Sequence, residues 1–153
     1  MRTLGIDFGE RRIGLAISDE EGRVAVPLGT LRRTSDRAAI AELLAILERE
    51  GAAALVVGEP VNVDGSRGPA AERARSFAAR LGRRSGLPWS LVNESLTTVE
   101  AAERLRAAGV DVRRDPERLD AVAAQILLQE ALDSARAGAR EDLGTRPLPA
   151  ETG

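Results

Sequence analysis

The first twenty residues constrain this chain more than any other stretch. Thr3 to Asp19, TLGIDFGERRIGLAISD, reads as two short strands joined by a tight, glycine-containing turn. Side chains alternate along a strand, so Leu4, Ile6 and Phe8 share one face and Thr3, Gly5 and Asp7 the other. Asp7 therefore ends an otherwise apolar strand. Burying a lone carboxylate is costly unless it is paired or holds a metal. Asp7 either caps the turn at a wet strand end or serves a site, and this segment alone leaves both open.

Turn signals and a change of period order the rest. Asp19-Glu20-Glu21-Gly22 marks a second turn before a third strand, Val24–Leu31, and the short connections predict an antiparallel meander. Helical spacing then begins: Ile40, Leu43, Leu44 and Leu47 form one stripe, with Ser35 as N-cap and Gly51 just past the end. Ala54–Gly58 is an apolar run suited to a strand covered on both faces. Pro69 opens a second helix running to about Arg84, and Trp89–Asn93 is a fifth strand. Thr97 to Glu100 has the spacing of a capping box, for a helix stopping at Gly109. Asp115 and Pro116 start a last helix ending near Ala137 and Gly138. Residues 1–138 read as a single domain, and 139–153 as a disordered tail.

The order βββαβαβαα, with a right-handed crossover after the third strand, sets the fourth strand parallel to the first and beside it. The expected fold is α/β and ribonuclease H-like: a five-stranded mixed sheet in order 3-2-1-4-5 with helices on both faces. The C-terminal ends of strands one, four and five then lie together. Asp7, Glu59 and Glu94 fall at those ends. Asp120 sits early in the last helix, flanked by Ala121, Ala123 and Ala124, small residues that allow close packing on the sheet. Singly, each acid has a plain explanation as a solvated strand end, a loop acid or a charge favourable to a helix N-terminal turn. Together on one edge they suit carboxylate-held metals that promote phosphoryl transfer.

Composition narrows the chemistry. With no His and no Cys in 153 residues, the usual general base, thiolate catalysis, disulfides and soft-metal sites are excluded. An oxygen-only site favours Mg²⁺ or Mn²⁺. The net charge of −2 argues against a polybasic binder, yet every basic residue is Arg, the better bidentate phosphate ligand. Phe8, Phe77 and Trp89 are too few for a base-stacking platform, so a nucleic-acid partner would be read by backbone and shape. No apolar run is long enough to span a membrane, and the N-terminus lacks the pattern of a signal peptide, so a cytoplasmic location is expected.

Four segments in order, IDFGERRIGLAISD, GEPVNVDGSRGPAAERARSFAARL, NESLTTVEAAERL and LDAVAAQILLQEALD, resemble the YqgF/RuvX family of RuvC-like proteins in the ribonuclease H-like superfamily. The resemblance implies a metal-dependent nuclease that processes the 5′ end of precursor 16S rRNA, with kinship to Holliday junction resolvases. It implies that Asp7, Glu94 and Asp120 are the catalytic and metal-holding acids. The expected partners are precursor rRNA or branched DNA, and a homodimer suits a two-fold junction. Three positions depart from the family: Asn93 and Ser95 flank Glu94 where Asp and Arg are usual, and Glu59 replaces an apolar residue. Glu59 is read here as an ordinary loop acid rather than a fourth member of the site.

Six residues are candidate substrate contacts. Arg11 and Arg12 form either a phosphate contact beside Asp7 or a solvated hairpin tip. Ser66 and Arg67 precede a helix N-terminus, where a phosphate or a plain turn fits equally. Arg113 and Arg114 make a lid or, as favoured here, a solvated connection. Two other functions compete with the nuclease. A non-catalytic RNA-binding module of ribosome biogenesis would explain Asn93 and Ser95. An actin-like ATPase opens on a similar hairpin, but needs a second domain for which this chain has no room.

Overall fold

A computed structural model of the chain describes residues 1–60, 64–93 and 97–141, with the side chains of 97, 98 and 139–141 left aside. The elements are β1 (Arg2–Phe8), β2 (Arg12–Ser18), β3 (Ala25–Arg32), α1 (Asp36–Glu50), β4 (Ala52–Glu59), α2 (Pro69–Ser85), β5 (Trp89–Asn93), α3 (Thr97–Ala107) and α4 (Pro116–Glu141). They build one five-stranded sheet in the order β3-β2-β1-β4-β5. The first three strands are antiparallel neighbours, whereas β4 runs parallel to β1 and to β5. This is the expected ribonuclease H-like arrangement.

The sheet has two unlike faces. On one, Leu4, Ile6, Phe8, Ile13, Leu15, Ile17, Leu55 and Val57 meet α1 and α2 in the larger core. Phe8 stacks on Phe77 of α2 at 4.4 Å between centroids, and the Arg33 guanidinium lies 4.3 Å over the same ring. On the other, Ala16 and Val56 meet Ala124, Leu127 and Leu128 of α4. Glycine lets α4 come this close. A Cβ on Gly5 would stand 2.7 Å from Leu128 Cβ, and one on Gly14 would stand 2.1 Å from the Asp120 carbonyl oxygen. α3 packs outside α4 through Ala101, Leu105, Val122 and Ile126.

Local signals account for the ends of α1. The Ser35 hydroxyl accepts a hydrogen bond from the Ala38 N–H, and Gly51 adopts the left-handed conformation that closes the helix. Two boundaries differ from expectation. α4 runs through Gly138 to Glu141, because one glycine in open space costs a helix only about 1 kcal/mol; residues 142–153 lie outside the described part. β4 extends to Glu59, where it pairs with Asn93 of β5, so Glu59 is the last strand residue and not a loop acid. Among the described residues, no helix is long and apolar enough to cross a membrane.

Candidate active site

Asp7 is half-buried at the end of β1, and its cross-strand partner on β2 is Gly14. Leu4, Ile6 and Phe8 occupy the α1/α2 face, so the alternation of β1 turns Asp7 toward α4. The backbone of Asp120 presses on Gly14 from that side; a Cβ on Gly14 would also lie 3.1 Å from Asp120 Cβ. Cross-strand Cβ atoms are about 5 Å apart, which sets the Cβ atoms of Asp7 and Asp120 within roughly 8 Å of each other. The two acids therefore share one face and one rim of the sheet. Glu94, the third sequence candidate, lies outside the described residues, and among those described no three acids group closely enough to hold a metal.

Arg12 completes this corner. It shares the α4 face of β2 with Gly14 and Ala16, and its Nε donates to Asp120 Oδ2 at 2.5 Å. The pair is partly exposed, with side-chain accessibilities of 36% for Arg12 and 21% for Asp120. Arg12 is thus neither a bare hairpin tip nor an unengaged phosphate ligand. Gly9 tightens the turn before it, its N–H donating to the Arg12 carbonyl at 3.0 Å. A Cβ there would lie 2.6 Å from that oxygen, so the turn requires glycine. Arg11 is exposed at the tip.

Glu59 belongs elsewhere. Leu55 and Val57 of β4 join the α1/α2 core, and Glu59 continues that alternation onto the face opposite Asp7. Its side chain is only 5% exposed and is held by two arginines: Arg67 Nε at 2.6 Å on Oε1, and Arg75 Nη2 at 3.4 Å on Oε2. Neither sequence reading foresaw this: Glu59 is not a loop acid, and it does not aim at the Asp7–Asp120 corner. Arg75 escaped notice because nothing near it in sequence signals a partner at the end of β4.

The other candidates occupy turns. Ser66 donates from its N–H and its hydroxyl to Asp64 Oδ1, at 2.9 and 2.6 Å, and these bonds pull the Asp64 carboxyl below its ordinary range. Arg113 and Arg114 are highly exposed and pair with Asp111 of their own loop at 3.7 and 3.6 Å. A groove of about 550 Å³ opens between β4, β5 and the C-terminal half of α4, lined by Leu55, Trp89, Leu91, Val92 and Leu132 among others. Neither Asp7 nor Asp120 lines it; both are half-buried on the α4 face of the sheet.

Comparison with known proteins adds to this geometry. Residues 1–134 match the family described as "RuvX: Holliday junction resolvase". A protein of Anaeromyxobacter sp. strain Fw109-5 named "Putative pre-16S rRNA nuclease" is 44% identical over 137 residues, covering 90% of this chain and all of that one. A protein of the same name from Myxococcus xanthus is 43% identical, over 89% of this chain and 90% of its own. Among solved structures, Thermus thermophilus RuvC in complex with a Holliday junction substrate superposes with a TM-score of 0.59 at 19% identity, over 90% of this chain and 96% of that one. Fowlpox virus resolvase, solved with Holliday junction DNA, gives a TM-score of 0.54 at 11% identity, over 88% and 98%.

Proposed function

This chain is a member of the RuvX family, and from that premise we propose that it is a divalent-metal-dependent nuclease that hydrolyses phosphodiester bonds in structured nucleic acid. The substrate we favour is the 5′ end of precursor 16S rRNA in the cytoplasm, with four-way DNA junctions as the second candidate. A symmetric cut in a junction would take two copies of the chain. The observation that carries the reading is that Asp7 and Asp120 share one face of the sheet, a neighbourhood fixed by the approach of α4 to Gly14.

The donor set fits a hard cation. All the acids offer oxygen, and the chain has neither His nor Cys. Asp7 and Asp120, with Glu94 as third ligand, would hold Mg²⁺ or Mn²⁺. Bound there, the cation would supply Lewis-acid polarisation of the phosphate and lower the pKa of a coordinated water. The residues themselves set the negative pole that fixes the site. Arg12 balances Asp120 and is placed to turn its guanidinium to a phosphate oxygen when substrate arrives.

Asp7→Asn keeps the side chain's size and removes one ligand charge. Cleavage of an RNA hairpin and of a four-way junction in Mn²⁺ should fall by about 10³-fold or more, while binding in EDTA stays near wild type. Undiminished cleavage by the variant, or cleavage by the wild type in EDTA, overturns the reading. A module that binds RNA without cutting is the second reading, favoured by the engagement of Asp120 with Arg12. It predicts binding by the wild type with no cleavage under any metal.

A further inference from the structure

Glu59 presents a physical puzzle that the proposed reaction leaves unused. Its carboxylate is 5% exposed at the end of a central strand, on the face of the sheet turned away from Asp7. Taking an ion pair out of water costs several kcal/mol, and a well-packed apolar side chain in its place is often neutral or stabilising. Core stability therefore gives no reason for an acid here. The two guanidiniums it holds are differently situated: the Arg67 side chain is 58% exposed and that of Arg75 is 41% exposed. The acid is inside and the cations are at the surface. Two guanidiniums thus converge on one carboxylate.

Its location matters as much as its charge. Ile6 pairs with Val57 in parallel register, and two residues further on Phe8 and Glu59 stand level. Glu59 is thus one strand over from the end of β1, a lateral step of about 5 Å. The two arginines project at the same C-terminal rim as Asp7, from the opposite face. A nucleic-acid strand crossing that rim meets the acids on one side and this pair on the other.

We propose that Glu59 is a positioning residue that holds Arg67 and Arg75 as a paired-guanidinium clamp for a backbone phosphate of the nucleic-acid substrate, next to the phosphate at the Asp7–Asp120 corner. Guanidinium is suited to this, since its planar array of donors matches phosphate oxygens and can engage a carboxylate through one edge and a phosphate through another. The clamp contacts only backbone and reads no sequence. The inference rests on the nuclease reading, because it needs the rim to be where nucleic acid lies.

The test is equilibrium binding of a labelled RNA hairpin and a labelled four-way DNA junction by the full chain in EDTA, repeated over a range of salt. Arg67→Ala with Arg75→Ala should weaken binding about tenfold or more, the loss of charge-assisted hydrogen bonds. It should also lower the slope of log affinity against log salt by roughly 0.7 to 0.9, for one phosphate contact removed. Glu59→Leu is the discriminating variant. It keeps both arginines and removes a negative charge, so simple charge counting predicts tighter binding, whereas positioning predicts binding several-fold weaker. A thermal melt of each variant establishes that it is folded. Where Glu59→Leu does not fold, Glu59→Gln, which keeps the shape and one acceptor, takes its place with the same expected direction. Binding by a folded Glu59 variant as tight as wild type or tighter overturns the positioning role. An unchanged salt slope in the double arginine variant overturns the clamp. If the wild type binds neither substrate, the nuclease reading fails and this inference with it; if the wild type binds and the variants match it, the inference alone fails.

Discussion

The two faces of the sheet treat acidic side chains in opposite ways. On the α1/α2 face, large side chains such as Phe77, Leu43 and Leu81 form a deep core, and the acid at the end of β4, Glu59, is covered by two arginines. On the α4 face the contact is made by Gly5, Gly14, Ala16 and Ala124, and the helix backbone comes close enough to bring Asp120 over the sheet. There the acids keep partial exposure, and the one arginine on Asp120 is itself partly exposed. A thick apolar layer stabilises and shields; a thin one brings a helix side chain to a strand end while leaving it within reach of solvent.

The largest effect that can break this contrast is on cleavage. Asp120→Asn should reduce Mn²⁺-supported cleavage by about 10³-fold or more with little change in melting temperature, since its amide still accepts from Arg12. Near-normal cleavage by that variant would move the site off the α4 face. Next come the glycines that set the spacing of each layer. Gly14→Ala drives a methyl into the Asp120 carbonyl and should cost about 1–3 kcal/mol in urea unfolding, with loss of cleavage. Gly82→Ala, on α2, drives a methyl against the buried Trp89 ring, 2.4 Å from its Cδ1, so a side chain and not a backbone carbonyl must give way, and it gains about 1 kcal/mol of helix propensity in return. Its net cost should be clearly smaller; equal costs would show that both layers are equally unyielding.

The smallest effect concerns Glu130 on α4. Desolvation and the like charge of Glu100 raise its carboxyl above the ordinary 4.5, against an opposing pull from Arg104. A raised folded-state value means the native state holds that proton more tightly than the unfolded chain does. The wild type should therefore lose a little stability as pH rises above 4.5 through the folded-state value, and Glu130→Gln should not. Melting curves of the two proteins should separate slightly in favour of the variant between pH 4 and pH 7; a gap that does not change with pH would remove this contribution.

Much of the scaffold was legible because its signals are local. The hairpin, Ser35 and Gly51 around α1, Pro69 opening α2 and Pro116 opening α4 are each specified by neighbouring residues, and the strand order follows from connection lengths. The candidate site was legible in part. Alternation along β1 gives the direction of Asp7, and the alanines around Asp120 announce close packing. The bond from Arg12 to Asp120 spans 108 positions and leaves no local trace. Glu59 was misread for the same reason: the end of β4 is decided by β5 beside it, and its charge is tolerated only because Arg75, sixteen residues on, folds back over it.

The contact between Gly14 and the Asp120 backbone also has a meaning in time. Ribosomes deliver the N-terminal hairpin first and α4 last among the described elements, and α4 lies across β1, β2 and β3. A nascent chain lacking α4 can pair β1 with β2, but it presents Asp7 without Asp120, beside a bare strip of glycine and alanine. Asp120 arrives only when the final helix docks, so on the proposed reading cleavage is the last property the growing chain acquires.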